Sequence, residues 1–398
     1  MSRLSSRERM QLVLRYQEPD HVPLLFKSYG FQPPAPVRWS NELEETQAWL
    51  SMGLDSWLDI GLPLRHHPDV TERLWQEERK DTRWPVMVKE YHTPAGILRQ
   101  EVHRTDDWVS PDWPMHQDGT GAVYLFDDYN VVRSRRHPVE TEEDLEKIKY
   151  LLYPLSGDAL TGFYERAAGT ARQAEQLDVL LVAHGSCGTD AAIWLCGAEN
   201  LLWMAMDRPD MFNALLDIIH EWDKRNIEIL LDTPVDMVMR RGYYEGTSFW
   251  SPGLFRTFFQ HRMKEFVDMV HQADRFFGYT MSTGVVPLLD TLVEIGYDAH
   301  LLLDPLAQKQ RIDLAKVKAT LRGKTAIIGG LNAPITLEHG TREQIRQEVF
   351  DAVRILGPGG GLALTPAEAI FASTPWESIE TVIEAWKEVR DYAIAEGI

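Results

Sequence analysis

Two cysteines in 398 residues, Cys187 and Cys196, leave no disulfide framework, no CxxC pair and no zinc-finger spacing. No apolar run reaches membrane-spanning length, and the opening MSRLSSRERMQLVLRY has no apolar core of signal-peptide size. Basic residues are also in deficit: 41 Lys and Arg against 60 Asp and Glu give a formal net charge of −19. A field of that sign repels polyanions, so nucleic acid and anionic membrane are not expected as partners, while a local basic pocket stays compatible with it. No low-complexity tract is present. The remainder, 44% hydrophobic and 25% charged, is ordinary globular composition. The expectation is a cytoplasmic protein with a small-molecule substrate.

What is present is a repeated unit, clearest near the C-terminus. Thr341 with Gln344 makes a capping box, and Ile345, Val349, Val353 and Leu356 recur at helical spacing, so the pattern predicts a helix over Thr341 to Leu356. Gly357 to Gly361 ends it. Leu362-Ala363-Leu364 then has the character of a strand covered on both faces. Similar short apolar runs occur at Val22 to Phe26, Ser56 to Ile60, Val179 to Ala183, Val235 to Met239, Phe276 to Thr280, His300 to Leu303 and Ala326 to Ile328, most separated by helical patterns. Eight strands alternating with helices favour a (β/α)8 TIM barrel over the alternative, a doubly wound open sheet. The stretch Pro63 to Ser156, rich in Trp, Pro, His and Asp, interrupts the repeat after the second strand. In a barrel such a connection lies on the catalytic face, so the chain reads as one domain, 1–398, whose 63–156 insertion forms a lid or pocket wall.

Functional side chains of such a fold come from the C-terminal ends of strands and the loops beyond them. That rule selects, among others, Lys27 and Tyr29, Asp59, His184, Arg240, Arg241, Tyr243, Tyr244 and Glu245, Tyr279, Met281 and Thr283, Asp304, Asn332, and Thr365 with Glu368. Each has a bland reading as well. Asp59 sits amid apolar neighbours, where an acid is either functional or paired with a nearby base. One of Arg240 and Arg241 reads as a structural ion pair and the other as a substrate contact. His184 and Cys187 stand three apart without recognised metal-ligand spacing, so packing is favoured. The Gly357 to Gly361 run precedes a strand and reads as a turn, not a phosphate cradle.

Several segments carry a resemblance. Ser6-Arg7-Glu8-Arg9, Glu18-Pro19-Asp20-His21-Val22-Pro23, Trp250-Ser251-Pro252 with Phe255, Gly329-Gly330, Gly340-Thr341, the Gly359 to Gly361 turn and Thr374-Pro375-Trp376-Glu377 resemble, in order and spacing, the uroporphyrinogen decarboxylase superfamily. The resemblance implies a (β/α)8 barrel and either of two activities, decarboxylation or methyl transfer to a corrinoid (cobalamin) protein; it also implies a homodimer. The decarboxylases' catalytic Asp, in Phe-Ser-Asp-Ile, aligns with Asp59 of Trp57-Leu58-Asp59-Ile60. Their two propionate-binding arginines, in Arg-Gln-Ala-Gly-Arg, fall on Phe26-Lys27-Ser28-Tyr29-Gly30-Phe31, where one Lys stands instead. The methyltransferases' zinc-binding His-x-Cys-Gly falls on Met281-Ser282-Thr283-Gly284, and the final histidine of one branch and cysteine of the other fall on Glu368.

Asp59 is thus the one catalytic position of either branch that is retained, which favours a divergent decarboxylase working without cofactor. Asp59, Glu368 and Tyr244 are its expected catalytic residues; Lys27, Tyr29, His184, Arg240, Arg241, Glu245, Tyr279, Met281 and Thr283 are expected to bind substrate. No thiolate zinc site is expected. The alternatives are a methyltransferase partnered with a corrinoid protein, and a non-catalytic homologue that binds a tetrapyrrole or corrinoid.

Overall fold

A computed structural model describes residues 4–27, 39–106, 123–306 and 310–392; Tyr29 lies outside them. The described chain divides into two compact units, one of residues 1–61, 161–186 and 227–398, the other of residues 62–160 and 187–226. In chain order the strands are β1 (Trp57–Gly61), β2 (Thr71–Glu77), β3 (Val86–Thr93), β4 (Gly96–His103), β5 (Ser134–Arg136), β6 (Leu180–Ser186), β7 (Met237–Arg241), β8 (Phe276–Thr280), β9 (Ala299–Leu303), β10 (Ala326–Asn332) and β11 (Leu362–Ala367).

In the first unit β1, β6, β7, β8, β9, β10 and β11 pair in that order as one parallel seven-stranded sheet, an α/β arrangement of TIM-like type. Seven of the eight expected runs are therefore strands. The eighth, around Leu24, makes only an isolated parallel bridge to Leu364. Pro23 has no N–H to extend that ladder, although its carbonyl accepts from Leu364 N (2.8 Å) and Leu25 N donates to Leu364 O (2.9 Å).

Strand alternation divides the side chains between two faces. Trp57, Leu180, Val182, Met237, Met239, Ala299, Leu301, Ala326, Ile328 and Ala363 share one buried cluster with Leu25. Met10, Val13 and Leu14 of helix α1 (Ser6–Leu14) join it. α1 was not among the expected elements, yet its start carries a capping box in which Ser5 accepts from Glu8 N and the Glu8 carboxylate accepts from Ser5 N. Arg9 explains part of the N-terminal sequence pattern: buried, it binds Asp20 (2.7 Å) and Asp55 (2.6 Å).

The second unit contains the antiparallel sheet β2-β3-β4-β5. Thr93 pairs with Gly96 across Pro94-Ala95, the two-residue tip of the β3–β4 hairpin. Val88, Tyr91, Leu98 and Val102 are buried, while Arg79 and Arg99 lace Glu77, Glu90 and Glu101 together. This unit takes in all of 63–156 and also the helices Gly188–Cys196, Ala198–Asp207 and most of Pro209–Leu231. Asp223 accepts from Cys187 N and Gly188 N, closing the N-terminus of the first of these helices. No helix of the described residues is long and apolar enough to cross a membrane.

Candidate active site

The alternation that buries Leu25, Trp57, Val182 and Ala363 puts the next residues of the same parity, Lys27, Asp59, His184 and Thr365, at the C-terminal edge of the sheet. All four line a cavity of about 90 Å³ with Trp57, Met239, Tyr243, Thr280, Leu301, Leu302 and Ile328. Leu301 and Leu302 both reach it although they are consecutive. The reason is a bulge: the pairing steps from Ile328↔Leu301 to Gly329↔Leu303, leaving Leu302 in the left-handed region (φ 62°). Gly329 permits this approach, since a Cβ there would lie 2.5 Å from Leu303 N.

A cluster of charges heads the cavity. Helix α2 (Glu42–Ser51) begins there, capped by Asn41, and brings Glu42 and Glu45 on its first turn. Lys27 Nζ donates to Glu42 (2.5 Å) and to the Trp57 carbonyl (3.0 Å) and lies 3.4 Å from Asp59. Trp57 Nε1 donates to the Asp59 carboxylate, at 3.1 and 3.2 Å from its two oxygens. Asp59 N donates to Glu42 (3.0 Å), and His184 Nε2 stands 3.5 Å from Asp59 on the solvent side.

These neighbours split the two acids. Burial pushes Asp59 upward, but the Lys27 ammonium, with His184 and Glu42, outweighs it and holds the carboxyl below the usual range. For Glu42, burial and the Asp59 charge act together against Lys27 and raise it to about 8. Burial alone would lower Lys27, yet Asp59, Glu42 and Glu45 raise it. Near neutral pH Lys27 and Asp59 are therefore charged while Glu42 keeps its proton, and burial also raises Glu45, against the pull of Lys27.

The other expected site residues lie elsewhere. Arg240 has the opposite parity from Met239, and its guanidinium binds both Glu245 oxygens (2.5 and 2.6 Å). Tyr279 Oη donates to the same carboxylate (2.5 Å), so Arg240, Glu245 and Tyr279 form one fully buried cluster. Arg241 stacks over Tyr243 (5.0 Å), and Tyr243 rather than Tyr244 lines the cavity. The Tyr244 carbonyl accepts from Trp250 Nε1 (2.8 Å). Met281 is buried with its carbonyl against His300 Nε2 (2.8 Å), and the Thr283 carbonyl packs where a Cβ on Gly246 would be (2.2 Å). Glu368, half-buried at φ 63°, follows β11 but does not line the cavity. Asp304 is occupied by Asn332 Nδ2 (3.0 Å to each oxygen).

Glu42 and Glu45 were missed by sequence reasoning centred on strand ends. The signal was available: a helix that returns toward its next strand starts at the catalytic edge, so acids on its first turn belong to the candidate set.

The model of the family described as uroporphyrinogen decarboxylase (URO-D) matches residues 120–389, more than half of the chain. The chain belongs to the uroporphyrinogen decarboxylase family. Members of this family are generally enzymes, both decarboxylases and methyltransferases. Among solved structures, a methyltransferase from Methanosarcina mazei is similar at TM-score 0.56 and 16% identity, over 97% of this chain and 99% of that one, a likeness of fold. A D-psicose 3-epimerase from Clostridium cellulolyticum H10 covers 64% of this chain and 86% of its own at 12% identity, with a TM-score of 0.33 that supports no argument. Curated proteins show no sequence match.

The family's methyltransfer chemistry, in the resemblance described above, rests on thiolate zinc ligands. Met281, Ser282, Thr283 and Glu368 at those positions offer no thiolate, and the described residues contain no group of three His, Cys, Asp or Glu arranged to hold a metal.

Proposed function

We propose that this family member is a cofactor-independent decarboxylase, with Lys27 and Asp59 in contact with the substrate and Glu42 supplying protons from behind. One observation carries the reading: an ammonium and an ionised carboxylate side by side over an apolar cavity, backed by a carboxyl raised to about 8. The substrate carboxylate enters beside His184 and Thr365. Its carbon–carbon bond breaks, the electron pair stays on carbon and neutral CO2 leaves. The apolar lining and the nearby Asp59 anion both favour exchanging a charged group for an uncharged one. Lys27 gives a proton to the carbon, Glu42 returns one to the Lys27 amine, and solvent restores Glu42.

In this proposal the Val22–Phe26 segment, bridged to β11 at Leu24, is the eighth strand of a closed barrel, between β11 and β1.

The second reading is methyl transfer between a small methylated compound and a corrinoid protein. The same proton donor favours it, since a departing oxygen also needs a proton. A cavity of about 90 Å³ takes no corrinoid ring, so the cofactor would be presented from outside by its carrier. Assays of CO2 release from a panel of carboxylates and of cob(I)alamin methylation by methoxylated compounds separate the two. CO2 release that is lost in Asp59→Asn supports the first, and methylation alone rejects it.

A further inference from the structure

We infer that the substrate of this cavity is a monocarboxylate on a compact apolar body, and that the site excludes molecules bearing further carboxylates. The inference rests on the decarboxylase reading and narrows it. Size is the first argument. A cavity of about 90 Å³ holds on the order of six to nine waters, room for a compact small molecule. Beside the polar head the lining is mostly apolar, Trp57, Met239, Leu301, Leu302 and Ile328, and its other polar groups, Tyr243, Thr280 and Thr365, bring no positive charge to a second carboxylate.

Charge is the second argument, and it turns on which cations are already engaged. The three N–H bonds of Lys27 have Glu42, the Trp57 carbonyl and Asp59 within reach. Arg240 is bound through two nitrogens to Glu245, under cover. One substrate carboxylate can share His184 and the edge of Lys27. Another would meet the Asp59 anion, and Lys27 and His184 are the only basic residues among the described lining to receive it. Repulsion of that kind, at several Å and intermediate dielectric, weakens binding on the order of tenfold per added charge at low salt. The penalty shrinks as ionic strength rises.

A ladder of four- to six-carbon acids tests this: butyrate, succinate and tricarballylate, titrated into the full chain at low and high ionic strength by ligand-observed NMR. Butyrate is expected to bind tightest, each added carboxylate to weaken binding about tenfold at low salt, and both Asp59→Asn and high salt to compress the series. Equal or tighter binding of succinate, no binding of butyrate, or a series unmoved by Asp59→Asn overturns the inference. The two readings fail separately. The expected ladder without CO2 release from any carboxylate sinks the decarboxylase and leaves the charge selection standing, whereas CO2 release from a polycarboxylate does the reverse.

Discussion

Lys27 with Asp59 and Arg240 with Glu245 are built from the same materials at the same edge of one sheet: a cation, a carboxylate and an aromatic donor. Trp57 Nε1 serves the first carboxylate and Tyr279 Oη the second. They differ in register. Asp59 shares the parity of Trp57 and faces the cavity, whereas Arg240 alternates with the inward Met239 and lies under cover. The first cluster has an exposed histidine beside it, and the second is buried. For residues of the strands, position at the C-terminal end is therefore not sufficient, and parity decides.

Substitutions that exchange the two roles test the contrast. The largest effect is expected from Lys27→Met, which removes the proposed proton donor: turnover should fall about 10²- to 10⁴-fold in protein that is still folded, with some loss of stability because Asp59 loses its partner. A Lys27→Met protein that keeps its activity would put the catalytic cluster elsewhere. Next comes Arg240→Ala, which strands the buried Glu245 charge and should cost about 3–5 kcal/mol of unfolding free energy. A cost below about 1 kcal/mol would show that the second cluster is not the structural one.

Glu42→Gln tests the reservoir through its pH dependence. The folded pKa of Glu42 is raised above its unfolded value, so the native state binds more protons between about 4.5 and 8, and stability falls as pH rises through that window. In Glu42→Gln that slope should flatten, and the alkaline fall of turnover near pH 8 should disappear. Both would persist if Glu42 were a bystander. The smallest change is Trp57→Phe, which keeps the ring and loses the N–H to Asp59. Loss of a hydrogen bond to a charged group, about 1.5–3 kcal/mol, should raise the acid limb of the rate profile by about one to two pH units. An unmoved acid limb would detach Asp59 from that limb.

Much of the fold could be read in advance. Apolar runs at Ser56, Val179, Val235, Phe276, His300, Ala326 and Leu362 mark the seven strands because a strand covered on both faces must be apolar along its length. The helix Arg342–Leu356 begins at its Thr341 capping box. The site was read less completely. Lys27, Asp59 and His184 do line one cavity, while Arg240, Tyr244, Met281 and Glu368 meet the strand-end rule without reaching it. Glu42 entered from a helix that the rule does not count.

By itself, then, the sequence determined the alternation of elements, the family and the acid on the second run, since these depend on local pattern and on order along the chain. Only the tertiary structure decided which charges share a cavity. That choice depends on strand parity, on the Leu302 bulge and on where α2 starts, and each of these is settled by pairing between segments distant in sequence. A carboxyl raised to about 8 and another held low are properties of that assembly: neither shift exists until Glu42, Asp59 and Lys27 are brought together out of water.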